Sequence, residues 1–347
     1  MATLTALDIA DLVAGTLRDL GPLRFQQIAQ NLQYYEVFSK WFKKDKVVFD
    51  SGVGIQRTLM NRLDSTSSKH VGLLDTDQVN IPDVIDQLQI PWRHAQTSWA
   101  LIYQTDILMN RGKSLIFNVV KPRRAAALLG LVEELEERAW GAAPSTTDKL
   151  LPFSIQYWIV ENATAGFNGG LPGSHTTIGG VSLTDSPNFK NYTALYTSVT
   201  KSDLIKKLRT AHRKIRFVSP VTIDDYRGGM GDRYRLYTNE AVISDLEDVG
   251  EAQNENLGRD IASMDGTITF RRHPIVWIPK LDARSDNPVY MIDHSTFYPV
   301  CLKGDYLRES EATKAPNQHN VFQVFVDLTY NYLCIDRRRN AVITTSV

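Results

Sequence analysis

The chain has 347 residues, 43% hydrophobic and 22% charged, which are the proportions of a chain able to bury a core in one large domain or two. Lys and Arg total 39, as do Asp and Glu, so overall charge does not equip the chain to wrap nucleic acid, and any such contact must come from a local patch. Cys301 and Cys334 carry no metal-ligand spacing and the seven histidines include no H-E-x-x-H pair, so no metal and no cofactor are expected.

The opening "MATLTALDIADLVAGTLRDLG" has neither the basic start nor the unbroken apolar stretch of a signal peptide. The apolar run "AAALLGLV" (125–132) is far too short to span a bilayer, so a soluble intracellular chain is expected. Residues 1–44 read as amphipathic helix punctuated at Gly21-Pro22. The second piece, "RFQQIAQNLQYYEVFSKWFKK", spaces Phe25, Ile28, Leu32, Tyr35 and Phe38 by three or four and ends in a basic cluster. It reads as an arm that packs on something else.

Residues 45–110 change character. Strand-like pieces in "KVVFDSGVGIQRTLMNRLDSTSSKHVGLL" are interrupted by Gly and Ser, and Ile81, Ile90, Trp92, Trp99, Ile102 and Tyr103 follow without a one-sided pattern. So long a stretch with so little hidden face reads as an extended excursion that meets a neighbouring chain.

"KPRRAAALLGLVEELEERAWG" predicts the clearest helix. Pro122 suits the first turn, Ala125, Leu128, Leu129, Val132, Leu135 and Ala139 share a face, and Gly141 stops the run. About twenty residues make a rod of roughly 30 Å. Glu133, Glu134, Glu136 and Glu137 read as its solvated side rather than a catalytic carboxylate pair. "PFSIQYWIVENA" reads as a buried strand by composition. "GFNGGLPGSHTTIGGVSL" (166–183) lacks the Lys-Ser/Thr and the helix of a phosphate loop, and "YRGGMGDRYRL" (226–236) lacks the third glycine of a dinucleotide fingerprint, so both read as loops.

"KSDLIKKLRTAHRKIRF" (201–217) predicts a basic amphipathic helix with Leu204, Ile205, Leu208, Ala211 and Ile215 inward. Lys206, Lys207, Arg209, Arg213 and Lys214 lie on its polar side, where they face either nucleic acid or an acidic surface of the same or another subunit. The stretch 244–260, with six Asp or Glu against one Arg, is one such acidic surface.

"YMIDHSTF" (290–297) sets Asp293, His294 and Ser295 side by side, the residue types of a hydrolytic triad. A triad needs the histidine between the other two, whereas extended residues alternate faces and put Asp293 and Ser295 on one side and His294 on the other. Two strands joined by a short polar turn are expected instead, with a hydrolase at Asp293/His294/Ser295 as the rival.

From "GTITFRRHPIVWIPKL" (266–281) through "NPVYMIDHSTFYPVCLKGDYLRES" (287–310) to "NVFQVFVDLTYNYLCIDRRRNAVI" (320–343), a proline-led strand, two strands about a turn, a long strand, a basic turn and a final strand follow one another. "RYRLYTNEAVISDLEDV" (233–249), a strand running into a helix, precedes them. This order resembles the C-terminal part of the major capsid proteins of tailed double-stranded DNA bacteriophages, with their Hong Kong 97-type shell fold. The resemblance implies an α+β chain with an N-terminal arm (1–44), an extended loop over an adjacent subunit (45–110), a peripheral domain (111–200 and 301–347) with a spine helix at about 118–141, and an axial domain (201–300). It implies a structural, non-enzymatic protein of the virion capsid that self-assembles into hexamers and pentamers around packaged double-stranded DNA. A separate scaffolding protein, a portal and decoration proteins are its implied partners, and no membrane. Within the loop, Arg57, Arg62, Lys69, His70, Asp75, Trp92 and Trp99 are the expected intersubunit contacts, Lys69 being the formal candidate where relatives form a lysine-to-asparagine bond. An encapsulin-type nanocompartment shell protein and a nucleic-acid-binding module using residues 201–217 are the alternatives.

Overall fold

β-Branched and aromatic residues crowd the last eighty positions, and there every regular element except two short 3-10 turns is a strand. The computed structural model describes residues 28–61, 70–73, 81, 83–104, 120–217, 233–251 and 268–347. In chain order its elements are α1 (Val37–Asp45, with π-type turns), β1 (Val47–Phe49), β2 (Gly54–Met60), β3 (Ile85–Pro91), β4 (Arg93–Ile102), α2 (Val120–Trp140) and α3 (Ile155–Trp158). There follow β5 (Tyr192–Leu195), α4 (Leu204–Ile215), β6 (Tyr234–Thr238), α5 (Glu240–Glu251), β7 (Thr269–Phe270), β8 (His273–Trp277) and β9 (Val289–Asp293). The chain ends with β10 (Phe297–Leu302), β11 (Arg308–Glu309), β12 (Thr313–Lys314), β13 (Val321–Cys334) and β14 (Ala341–Thr344).

The chain divides into two compact units, whose limits differ from the five segments that the resemblance implies. The first gathers the described residues before 34 with 94–134 and 304–328. Here β4 pairs with the first part of β13, which also carries β11 and β12. Burial alternates along β4, as a sheet with one covered face requires. The first turns of α2 lie on that sheet, where Thr97 Oγ1 donates to Ala127 O (3.2 Å) and Arg123 Nη1 to Ala100 O (3.2 Å).

The second unit comprises 34–93, 135–303 and 329–347. Its larger sheet has the order β5-β14-β9-β6-β8-β7, parallel except where β9 and β7 run against their neighbours. One face, with Tyr192, Ala194, Leu236, Val289, Met291 and Ile343, is covered by the apolar stripes of α4 and of Val242 and Leu246 on α5. On the other face Tyr237 meets Trp41 of α1 and Trp140 at the end of α2. β9 and β10 do flank the turn at 293–295, yet they do not pair: β9 belongs to this sheet, and β10 lies between β1 and the second half of β13.

Three local expectations are corrected. Residues 28–35 form no helix and Ile28 is exposed, whereas Val37, Trp41 and Phe42 are wholly buried, so the end of the expected arm is core of the second unit. The apolar run after Pro152 is a helical turn, α3, not a strand. Phe153 and Tyr157, four apart, stack at 4.0 Å, and Trp158 Nε1 donates to Tyr332 O (3.2 Å). A run this short carries no period of its own, so its partners decide its conformation. Finally, Glu136 is not solvated. It is fully buried and accepts from Val37 N and Trp140 Nε1, both at 2.9 Å. The first of these is an amide at the start of α1, where helix geometry leaves donors without partners.

Arg337 is fully buried, and no carboxylate pairs with it among the described residues. It donates to Trp158 O (2.5 Å), Phe189 O (2.9 Å), Gly170 O (3.1 Å) and Asn191 Oδ1 (2.9 Å). Burial pushes its pKa down to about 10. Asn191 in turn accepts from Val160 N and donates to Val160 O, and a Cβ on Gly169 would come within 1.8 Å of its Oδ1.

We expect Arg337→Ala to cost about 3–5 kcal/mol in chemical denaturation, because four buried acceptors lose their donor. Arg337→Lys should recover little, since an ammonium cannot reproduce the guanidinium fork. Burial also raises the Glu136 carboxyl to about 7, so the folded chain binds that proton more tightly than the unfolded one. Its contribution is present at low pH and is lost as pH rises through 7, by roughly 3 kcal/mol. The stability difference between the native chain and Glu136→Gln, measured at pH 5 and pH 8, should change by about that amount in favour of the variant at pH 8.

Candidate functional site

The triad-like turn is held as scaffold. Ser295 Oγ donates to Asp293 Oδ1 at 2.7 Å, and Ser295 N reaches the same oxygen at 3.0 Å. The other carboxylate oxygen lies 2.7 Å from Arg339 Nε. His294 points the opposite way: its Nε2 is 2.7 Å from Tyr237 Oη and its ring tilts against Trp41. The serine is therefore bonded to the aspartate and not to the imidazole, the reverse of what a general base needs. Burial drives the His294 pKa well below the usual imidazole value.

Around His294 lies a buried ionic cluster that sequence reasoning missed. Trp41 Nε1 donates to Tyr237 Oη (3.0 Å), which also lies 3.2 Å from Glu36 Oε1. Arg235 pairs with Asp45 at 2.8 Å and Lys40 with Glu36 at 3.0 Å. Desolvation pushes Tyr237 well above the usual phenol range, so it stays a neutral hydrogen-bonding hub. The one advance signal was the spacing of Val37 and Trp41, one helical turn apart.

The glycine loop at 166–183 serves packing. Gly179 sits at φ +57° with a would-be Cβ 2.6 Å from Leu88, and its carbonyl accepts from Gln89 N (2.7 Å). The loop thereby grips the base of the β2–β3 ladder.

The expected contact residues scatter. Arg57 is exposed on β2 with its guanidinium over the Phe49 ring (5.2 Å), and Trp92 meets the same ring edge-on while donating to Gly52 O (2.9 Å). Trp99 belongs to the first unit, on β4. His70 is exposed, and Arg62, Lys69 and Asp75 lie outside the described residues. Along the ladder, Val53, Met60 and Ile85 are exposed while Ile55, Leu88 and Ile90 are buried.

On α4, Lys206, Arg209, Arg213 and Lys214 are exposed, and Lys207 pairs with Asp203. That lysine and the amides of Thr197 and Ser198 hold the Asp203 carboxyl down to about 2. The basic turn 336–339 is not a free cationic surface: Arg337 and Arg339 are buried, and Arg338 lies over the Phe217 ring (4.7 Å). The thiols are closed off as well, burial pushing Cys301 up to about 12. No group of three or more His, Cys, Asp or Glu able to hold a metal occurs among the described residues, and no helix there is long and apolar enough to cross a membrane.

No protein-family model matches the sequence, and no curated protein matches it. The fold has clear counterparts among solved structures. A chain of the cyanophage A-1(L) capsid asymmetric unit superposes with a TM-score of 0.62 at 13% identity, covering 94% of this chain and 98% of its own. A chain from the capsid of a native GTA particle gives 0.59 at 10% identity, with 99% and 100% covered. One from Gordonia phage Cozz gives 0.55 at 10% identity, with 100% and 96% covered. Likeness at this identity speaks of architecture, and it runs from end to end in both directions: the chain has the α+β fold of these phage capsid subunits, the Hong Kong 97-type shell fold.

Proposed function

We propose that the chain is a major capsid protein, a structural subunit that assembles into hexamers and pentamers of an icosahedral head enclosing double-stranded DNA. The observation that carries this is the two-way coverage: 94–100% of this chain and 96–100% of the capsid chains superpose. The chemistry supports it. The triad-like group is held within the core, Ser295 on Asp293 and His294 against Tyr237. In this reading residues 45–110 reach over a neighbouring subunit, with Arg57, Arg62, Lys69, His70, Asp75, Trp92 and Trp99 as candidate contacts, and 201–300 form the axial domain. Scaffolding, portal and decoration proteins are the corresponding partners.

Exposed apolar residues on an otherwise polar two-stranded ladder support the intersubunit role, since such a ladder is marginal in water without a surface to cover it. Within that span β1 and β4 pair into sheets, so the β2–β3 ladder is the part proposed to reach farthest over the neighbour.

Negative-stain microscopy with light scattering, on the chain alone and beside candidate scaffolding proteins, should reveal rings or closed shells. Nucleic acid inside distinguishes a virus head from an enzyme-filled compartment, and a monomer under every condition would overturn the proposal. Replacing residues 58–86 with a short Gly-Ser turn keeps the buried anchors Ile55, Leu88 and Ile90. The shortened chain should remain folded by circular dichroism and fail to assemble; shells formed from it would rule out the loop contact.

A further inference from the structure

The two helices on the covered face of the larger sheet are opposite in charge. α4, "LIKKLRTAHRKI", contains five Lys or Arg and no acid; α5, "EAVISDLEDVGE", contains five acids and no base. Each is twelve residues, about 18 Å of rod, so the two charged edges match in length. Both spend their apolar stripe on the same core, which turns their charged sides outward. On α4, Lys206, Arg209 and Arg213 follow one another at three and four residues along an exposed edge. On α5, Asp245 and Asp248 share one exposed edge, and Glu247 lies beside it.

Among the described residues, no ion pair joins Lys206, Arg209, Arg213 or Lys214 to any acid of α5, and Lys207 is taken by Asp203. Within their shared core, α4 packs on β5 and β14, and α5 on the segment 279–283 that follows β8.

From this arrangement we infer that the basic edge of α4 in one subunit docks on the acidic edge of α5 in the next copy of the chain. The partner is a second copy because each subunit carries both halves of the contact in equal number. A polyanion such as nucleic acid would be drawn to α4 and repelled by α5 on the same layer. Because each copy offers a different edge to each neighbour, the contact is head-to-tail, and repeated with a rotation that closes it makes a ring. The inference rests on the shell reading and refines it by assigning which helices face each other around a capsomer. Rim charges of this kind set register and association rate more than depth of affinity, so the contact is salt-sensitive.

The test uses the full-length chain and three variants: α4 reversed (Lys206→Glu, Arg209→Glu, Arg213→Glu), α5 reversed (Asp245→Lys, Glu247→Lys, Asp248→Lys), and both together. Sedimentation velocity at about 50 mM and about 500 mM NaCl reads self-association across the range over which such charges are screened. Each single reversal should weaken association of the chain at least tenfold at low salt, and the double reversal should restore it. The two singly reversed chains, mixed in equal amounts, should associate with each other, which also shows that both are folded. Native rings or shells formed equally well by both single reversals would overturn the helix pairing and leave the shell reading intact. A native chain that stays monomeric at low salt would overturn both. Unchanged self-association with loss of retained DNA in the α4 reversal would overturn the pairing in favour of a polyanion contact.

Discussion

Burying a guanidinium is costly, and Arg337, with no counter-ion among the described residues, is held by four acceptors from separate stretches that converge on it. Those acceptors belong to α3, the glycine-rich loop and the approach to β5, while Arg337 itself lies between β13 and β14. One side chain thus ties the end of the chain to segments about 150 residues earlier. Asn191 extends the same knot to Val160 and, through its contact with Gly169, forbids a side chain there. The loop carrying Gly179 has a separate anchor, Gly179 N donating to Tyr157 Oη (2.9 Å), and from there it grips β3.

The other face of the larger sheet obeys a similar constraint. Trp41 is surrounded by Trp140, Tyr237, His294, Phe297 and Tyr332. Such a crowd of rings excludes water, and the polar groups within it must satisfy one another. Glu36, Asp45, Arg235 and Tyr237 do so as one network, and His294 joins it as a neutral ring. The chemistry that a serine, a histidine and an aspartate offer in a cleft is thereby spent on holding the turn from β9 into β10, where the chain leaves one sheet for another.

Among the described residues Asp293, His294 and both thiols are buried, while the surface carries an exposed ladder and two helices of opposite sign on a molecule of zero net charge. Capsid chains at about 10% identity share the architecture because the fold depends on which positions are apolar and where turns fall, and many sequences meet that requirement.

Periodicity made α2 and α4 legible, since each has a buried side long enough to show its period, and β-branched and aromatic composition made β8, β9, β10, β13 and β14 legible. The alternation argument likewise separated His294 from Asp293 and Ser295 before any contact was known. What the sequence could not reveal depended on partners distant in the chain. Glu136 looked like its solvated neighbours until Val37 N and Trp140 Nε1 met it in the core. The turn 336–339 looked basic and exposed until carbonyls enclosed Arg337, and the apolar run at 155–158 took a helical turn to place Trp158 on β13. A residue's own neighbours set its periodicity, so the sequence determined the elements and their faces. Burial of a charge, the partner of a strand and the conformation of a short apolar run are set by groups brought together only on folding, so the tertiary structure decided them.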